Sequence, residues 1–169
     1  DLVWGDLGND TLSGDQGDDT LFGDLDDPNS TEAGKDMIWG GDGNDLICGN
    51  QNNDTLMGGA GNDIIRAGKE DDFLFGETGD DLLFGDLGND KICGNEGNDT
   101  LFGDTEDELA HGGQDTLIGG NGDDVLSGNQ AADTLCGGEG NDSLHGGKDN
   151  DVLKGKAGED WLFGDEGND

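Results

Sequence analysis

An aspartate recurs every nine residues along nearly the whole 169-residue chain. Asp10 and Asp19 set the beat. After one slip it runs through Asp36, Asp45, Asp54, Asp63, Asp72, Asp81, Asp90 and Asp99. After a second it runs through Asp115, Asp124, Asp133, Asp142, Asp151, Asp160 and Asp169. Carboxylates are the groups for acid/base work and for binding hard cations. A long column of equivalent ones fits oxygen ligands in turns better than the unequal pair that proton transfer needs. No Ser/His/Asp or Cys/His spacing supports a nucleophile. His111 falls in an inserted segment and His145 at a strand position, so no catalytic residue is assigned and no enzyme is expected.

The elements that position these carboxylates follow from the same period. The unit reads G-x-x-G-[ND]-D-x-U-x, positions one to nine, with U aliphatic; Gly85-Asp86-Leu87-Gly88-Asn89-Asp90-Lys91-Ile92-Cys93 is a clean copy. Its two glycines, three apart, are expected to supply the positive φ of a tight turn. The x-U-x segment predicts a short strand with U facing one way and its neighbours the other. Two such units make an 18-residue coil with two strands. Coils stacked about 4.8 Å apart form two parallel sheets around a single row of U residues.

Stacking sets each aspartate above the one a coil earlier. Two bare carboxylates ~5 Å apart at an effective dielectric of ~20 repel by about 3 kcal/mol. A divalent cation reverses the sign, and calcium suits loose oxygen-rich turns better than magnesium, which resists dehydration. The candidate side-chain ligands are Asp10, Asp19, Asp36, Asp45, Asp54, Asp63, Asp81, Asp90, Asp99, Asp115, Asp124, Asp142, Asp160 and Asp169. The candidate turn carbonyls are those of Gly5, Gly14, Gly40, Gly58, Gly76, Gly85, Gly94, Gly119, Gly137 and Gly155.

This pattern, over the whole chain, resembles the calcium-binding nonapeptide repeats of RTX (hemolysin-type) proteins, and the repeat from Gly146 to Leu153 looks like arrays in cyanobacterial oscillin-like surface fibril proteins. The resemblance implies an all-β, right-handed parallel β-roll with calcium in its turns. It also implies export by type I secretion and folding outside a bacterial cell, where calcium is plentiful.

Composition narrows the partners. A net charge of −35 excludes the Lys/Arg clusters that hold nucleic-acid phosphates and opposes anionic membranes. No apolar run is long enough to span a bilayer and no signal peptide opens the chain. Cys48, Cys93 and Cys136 fit neither a metal motif nor a disulfide framework. Both ends sit in repeat phase without capping repeats, which leads us to expect one continuous solenoid that is a window of a longer array.

A longer period lies inside the short one. Residues 1–80 resemble residues 81–159, and a third copy starts at 160–169. The inserted segments 25–35 and 105–114 recur, as do turn defects: Asn52 with Ala131, and Glu70 with Asp149, the latter two after Lys69 and Lys148. Alternate turns lie on opposite edges, and every insertion and defect falls on the edge of Asp10, Asp36, Asp54, Asp72, Asp90, Asp115, Asp133, Asp151 and Asp169. A full calcium ladder is expected on the other edge and a broken one here, with the two lysines standing in for cation charge.

The outer faces are unusually apolar. One presents Trp4, Phe22, Cys48, Phe84, Phe102, Trp161 and Phe163; the other presents Trp39, Met57, Phe73, Phe75, Cys93, Ile118 and Cys136. Such surface marks lateral packing, against copies of the chain or neighbouring parts of a larger one. The expected function is a structural, calcium-folded extracellular repeat that associates into a fibre, sheath or layer at a bacterial surface. The competing expectation is a calcium-triggered folding and secretion segment of a larger toxin, enzyme or adhesin.

Overall fold

A computed structural model of the chain describes residues 1–24, 33–105 and 112–169. Most of the two inserted segments, with His111, lies outside the described residues. Within them, seventeen strands alternate between two wholly parallel sheets. The first sheet stacks Leu2–Asp6, Thr20–Asp24, Leu46–Asn50, Ile64–Lys69, Leu82–Leu87, Thr100–Asp104, Val125–Asn129, Ser143–Lys148 and Trp161–Glu166. The second stacks Thr11–Gln16, Met37–Asp42, Thr55–Ala60, Phe73–Thr78, Lys91–Glu96, Thr116–Asn121, Thr134–Glu139 and Val152–Ala157. This is the expected β-roll of two strands per coil.

Register follows the nonapeptide beat. Leu56, Leu74, Ile92, Leu117 and Leu135 stand one above another through the second sheet. Leu21 pairs with Ile47, and Leu101 with Leu126, in the first. The register is therefore unbroken across both insertions, because a one-residue shift would turn each buried aliphatic to solvent.

The turns are tight because two residues adopt left-handed backbone in each uninterrupted turn before the last. They occupy positions two and four of the unit, and position one does not join them. In the turn before Asp90 they are Asp86 (φ 71°) and Gly88 (φ 139°); Asp6, Asp15 and Asn50 hold the first place elsewhere. Asn and Asp tolerate this region better than other non-glycine residues. The expectation that both conserved-spacing glycines supply positive φ is thus half right, and the first glycine has another reason, given below.

The core is one row of aliphatics between the sheets. Leu21, Ile38, Ile47, Leu56, Ile65, Leu74, Leu83, Ile92, Leu101, Leu117, Leu126, Leu135 and Leu144 are completely buried. Leu162, in the last coil, remains 45% exposed, so each core residue owes its burial to the coils on both sides. Leu83→Ala removes a side chain enclosed from both directions and should destabilise the folded array by about 3 kcal/mol. Leu162→Ala should cost far less, and thermal melts of the two variants against the parent measure the difference. Equal losses would refute neighbour-dependent burial.

Candidate metal centre

Each ladder aspartate sits at position six, where the turn enters the next strand, and three of its groups are committed to neighbouring coils. Its amide donates to Oδ1 of the aspartate in the following coil. Its carbonyl accepts the amide of the residue after that same aspartate. Its own Oδ1 accepts from the preceding coil. Asp45 illustrates all three: N to Asp63 Oδ1 at 2.8 Å, O from Ile64 N at 2.8 Å, and Oδ1 from Asp19 N at 2.8 Å. One edge carries the run Asp19, Asp45, Asp63, Asp81, Asp99, Asp124, Asp142 and Asp160. The other carries Asp10, Asp36, Asp54, Asp72, Asp90, Asp115, Asp133, Asp151 and Asp169. Every candidate side chain lies in one of these ladders, most of them buried; Asp10 and Asp160 are half-buried and Asp169 is exposed. Asp72, Asp133 and Asp151, which the sequence reading left out, belong to them equally.

The second oxygen has no such partner. Oδ2 is buried and unpartnered in Asp10, Asp19, Asp36, Asp45, Asp54, Asp63, Asp72, Asp81, Asp90, Asp99, Asp115, Asp124, Asp133, Asp142 and Asp151. Where position one of its turn is glycine, it faces that residue. A methyl built on Gly14 would lie 2.5 Å from Asp19 Oδ2 and 2.5 Å from the carbonyl oxygen of Gly40 in the next coil. The same two oxygens crowd Gly5, Gly40, Gly58, Gly76, Gly85, Gly119 and most other position-one glycines; at Gly94, Gly137 and Gly155 the carboxylate dominates. Glycine is required here for room, not for φ.

An unpartnered buried carboxylate oxygen beside a main-chain carbonyl suits a hard cation. Among the described residues no three His, Cys, Asp or Glu side chains converge, so the remaining ligands of such an ion would be carbonyls or water, as calcium accepts. The ladder aspartates and the position-one carbonyls would hold the ion, and its charge would offset the carboxylates.

Burial pushes these carboxyls far above their ordinary 3.8, and repulsion from ladder neighbours adds to it, while the amide of the preceding coil opposes. Asp36 and Asp63 rise to about 6, Asp81, Asp90 and Asp124 to about 7, Asp54, Asp115 and Asp133 to about 8, and Asp72 to about 9. Single carboxylates in the ladder are therefore poor anions in the absence of metal.

The two edges differ beyond their aspartates. On the edge of Asp19, each position-four amide donates to the position-three carbonyl of the next coil, as Gly61 N does to Thr78 O at 2.8 Å. On that edge position five also forms an unbroken side-chain ladder from Asp18 to Glu159. Among the described residues the opposite edge lacks the first run, and its position-five ladder is interrupted where Lys35 and Ala132 offer no acceptor. There Glu70 Oε2 accepts Asn52 N at 2.9 Å instead. Lys69 and Lys148 form no ion pair among the described residues.

Two buried carboxylates escaped the sequence reading because they are off the nine-residue beat. Asp24 and Asp104 begin the insertions at position two, and both turn inward. Asp24 Oδ1 accepts Gly34 N at 3.0 Å, and Asp104 Oδ1 accepts Gly113 N at 2.9 Å. Asn50 and Asn129 donate to their carbonyls at 2.9 and 2.7 Å. Each pair clasps the point where the chain leaves and re-enters the coil. The recurrence of the two insertions was the available signal.

The outer face of the first sheet carries stacked pairs: Trp4 with Phe22 at 4.2 Å between ring centroids, Phe84 with Phe102 at 5.2 Å, and His145 with Phe163 at 4.6 Å. Arg66 covers Phe84 and pairs with Asp86 at 3.0 Å. Trp39 and Phe75 lie half-buried on the second sheet, where Cys93 and Cys136 flank Ile118 in register. All three cysteines are half-buried. The coil also brings Ser143 Oγ within 3.4 Å of His145 Nε2, and His145 Nδ1 within 3.6 Å of Asp165 Oδ2, a row that spacing had not suggested. These contacts are long for hydrogen bonds, and histidine and aspartate are half exposed on an open sheet, so the row carries no activated nucleophile.

A family model described as the RTX calcium-binding nonapeptide repeat, in four copies, matches residues 1–28, 30–56, 49–83, 57–92, 75–107, 109–144 and 137–169. A comparison with curated proteins finds no match.

The raised carboxyls give the metal-free array a definite pH dependence. Its folded state retains protons that an unfolded chain, with carboxyls near 3.8, releases. That stability is complete below about pH 4 and lost as pH rises through about 6 to 9. In chelator the chain should lose strand signal at about pH 8 and regain it on acidification toward about pH 4.5, read by far-ultraviolet circular dichroism. Calcium should release protons on binding and bind more weakly as pH falls. Strand signal that falls with acidification in chelator would contradict this electrostatic account.

Proposed function

We propose, since the chain belongs to the RTX calcium-binding nonapeptide repeat family, that calcium bound along its aspartate ladders folds it into a rigid structural roll outside a bacterial cell. The observation that carries this reading is the unpartnered buried Oδ2, repeated coil after coil. The ligands are the side chains of Asp10, Asp19, Asp36, Asp45, Asp54, Asp63, Asp81, Asp90, Asp99, Asp115, Asp124, Asp142, Asp160 and Asp169, joined by Asp133 and Asp151 of the same ladders, with the position-one glycine carbonyls beside them. Calcium at extracellular millimolar levels saturates sites of this loose type, whereas cytosolic levels leave them empty and the chain a polyanion. Each ion offsets charge between two coils, so folding spreads along the axis from neighbour to neighbour.

The roll associates laterally through its apolar outer faces, centred on Trp4, Phe22, Phe84, Phe102 and Phe163 on one sheet and Trp39 and Phe75 on the other. Stacked rings present a flat, preformed surface. At a net charge of −35, two copies repel each other until calcium lowers the charge. Folding and association then answer to the same ion, and the product is a surface fibre, sheath or layer. The competing secretion-segment reading rests on family membership alone, while the aromatic columns favour the structural one.

Calcium titration of the chain in chelexed buffer, followed by circular dichroism and small-angle scattering, should show a cooperative passage from an expanded coil to a rod. Asp124→Asn should bind less calcium and shift the midpoint to higher concentration. Sedimentation should show association only with calcium, abolished by Phe84→Ser with Phe102→Ser while the strand signal is kept. A strand signal indifferent to chelator at neutral pH would end the calcium reading. A monomer at all concentrations in calcium would end the lateral one.

A further inference from the structure

Position one of the repeat is glycine in every coil but one, where Ala67 stands. Its turn is Ala67-Gly68-Lys69-Glu70-Asp71-Asp72. At the other position-one residues an added Cβ falls against the unpartnered Oδ2 of the aspartate that follows, closer than real Cβ contacts allow. Ala67 carries that methyl and is completely buried. Asp72 keeps its place in the ladder: its Oδ1 accepts Asp54 N at 2.6 Å, and its amide donates to Asp90 Oδ1 at 2.8 Å. Its Oδ2 is buried and unpartnered like the rest. By the geometry of the glycine turns, a methyl at position one stands against that oxygen, while the hydrogen-bonded part of the rung is intact.

We propose that the rung of Asp72 takes no calcium, because the Ala67 methyl crowds Asp72 Oδ2, an oxygen that position-one glycine leaves uncrowded in the other turns. The proposal rests on the calcium reading above and assigns one gap in that ladder to one side chain. The same turn is closed by other means: Glu70, at position four, adopts φ 68° and its carboxylate accepts the Asn52 amide of the coil before. The second long repeat supplies an internal control. Gly146 and Asp151 stand where Ala67 and Asp72 stand in the first, and a methyl on Gly146 would meet Asp151 Oδ2 and the carbonyl oxygen of Gly164. The two repeats therefore differ by one ion, and the edge that bears the insertions is interrupted in the first repeat only.

The test counts bound calcium on the whole 169-residue chain, by equilibrium dialysis with elemental analysis at saturating calcium. The parent is compared with Ala67→Gly and Gly146→Ala, with strand content checked by circular dichroism. Ala67→Gly should bind one ion more than the parent, and Gly146→Ala one fewer. An unchanged count in Ala67→Gly overturns the proposal whatever Gly146→Ala does, and so does a metal ion beside Asp72 Oδ2 in a crystal of the parent grown with calcium. Should Gly146→Ala fail to fold, Ala67→Gly decides alone, since it restores the glycine of the other coils. Absence of bound calcium in all three proteins would instead refute the calcium reading itself.

Discussion

The buried carboxylate, tied through one oxygen and unpartnered through the other, is the constraint around which this molecule is built. The tied oxygen takes the amide of the coil before it, so each aspartate is a cross-coil acceptor that no strand ladder could supply at a turn. A neutral acceptor would serve that bond as well. What an aspartate adds is the second oxygen and a charge, both buried where no other side chain of the described residues answers them. Burying an ionised carboxylate without compensation is among the most unfavourable steps in folding. A chain that repeats it in nearly every turn is stable only with protons or cations bound, and as pH rises through about 6 to 9 that leaves the cation.

The remaining residues of the repeat follow from accommodating that group. Position one is held to glycine by the carboxylate and the next coil's carbonyl, positions two and four by left-handed backbone, and position eight by a core one side chain wide. Position three and the two residues flanking the core aliphatic meet no such limit. The aromatic columns, Arg66, His145 and the cysteines gather at the flanking sites, so this chain's individuality is written on the outer faces of its sheets.

The nine-residue beat made the two sheets, the parallel register, the buried row and the membership of both ladders readable without coordinates. Legibility ended where an outcome depends on what lies across the coil. The first glycine was read as a φ device because sequence shows only its place in a turn. Its real neighbours, Asp19 Oδ2 and Gly40 O in the case of Gly14, come from five residues onward and from the next coil. Asp72, Asp133 and Asp151 were set aside for degenerate turns, yet the bond that enrols them uses only their own carboxylate and a preceding amide. Asp24 and Asp104 resemble the exposed position-two aspartates Asp6 and Asp15 in sequence. They turn inward only because the chain departs into an insertion at that point.

The difference between the edges explains why both insertions leave from the same one. On the edge of Asp19 three ladders run together: aspartate to amide, position five to amide, and turn amide to turn carbonyl. Extra residues in one turn there would break all three at once. On the opposite edge the main-chain turn ladder is missing among the described residues and the position-five ladder is already interrupted, so an extruded segment disturbs only contacts that side chains replace. The clasps at Asp24 and Asp104 supply that replacement, each receiving the amide of the returning chain and the amide side chain of the next coil's asparagine. They stand four coils apart on the first sheet, about 20 Å at the usual strand spacing. One edge is thereby kept uniform, and the other accommodates both insertions without costing the register of the core.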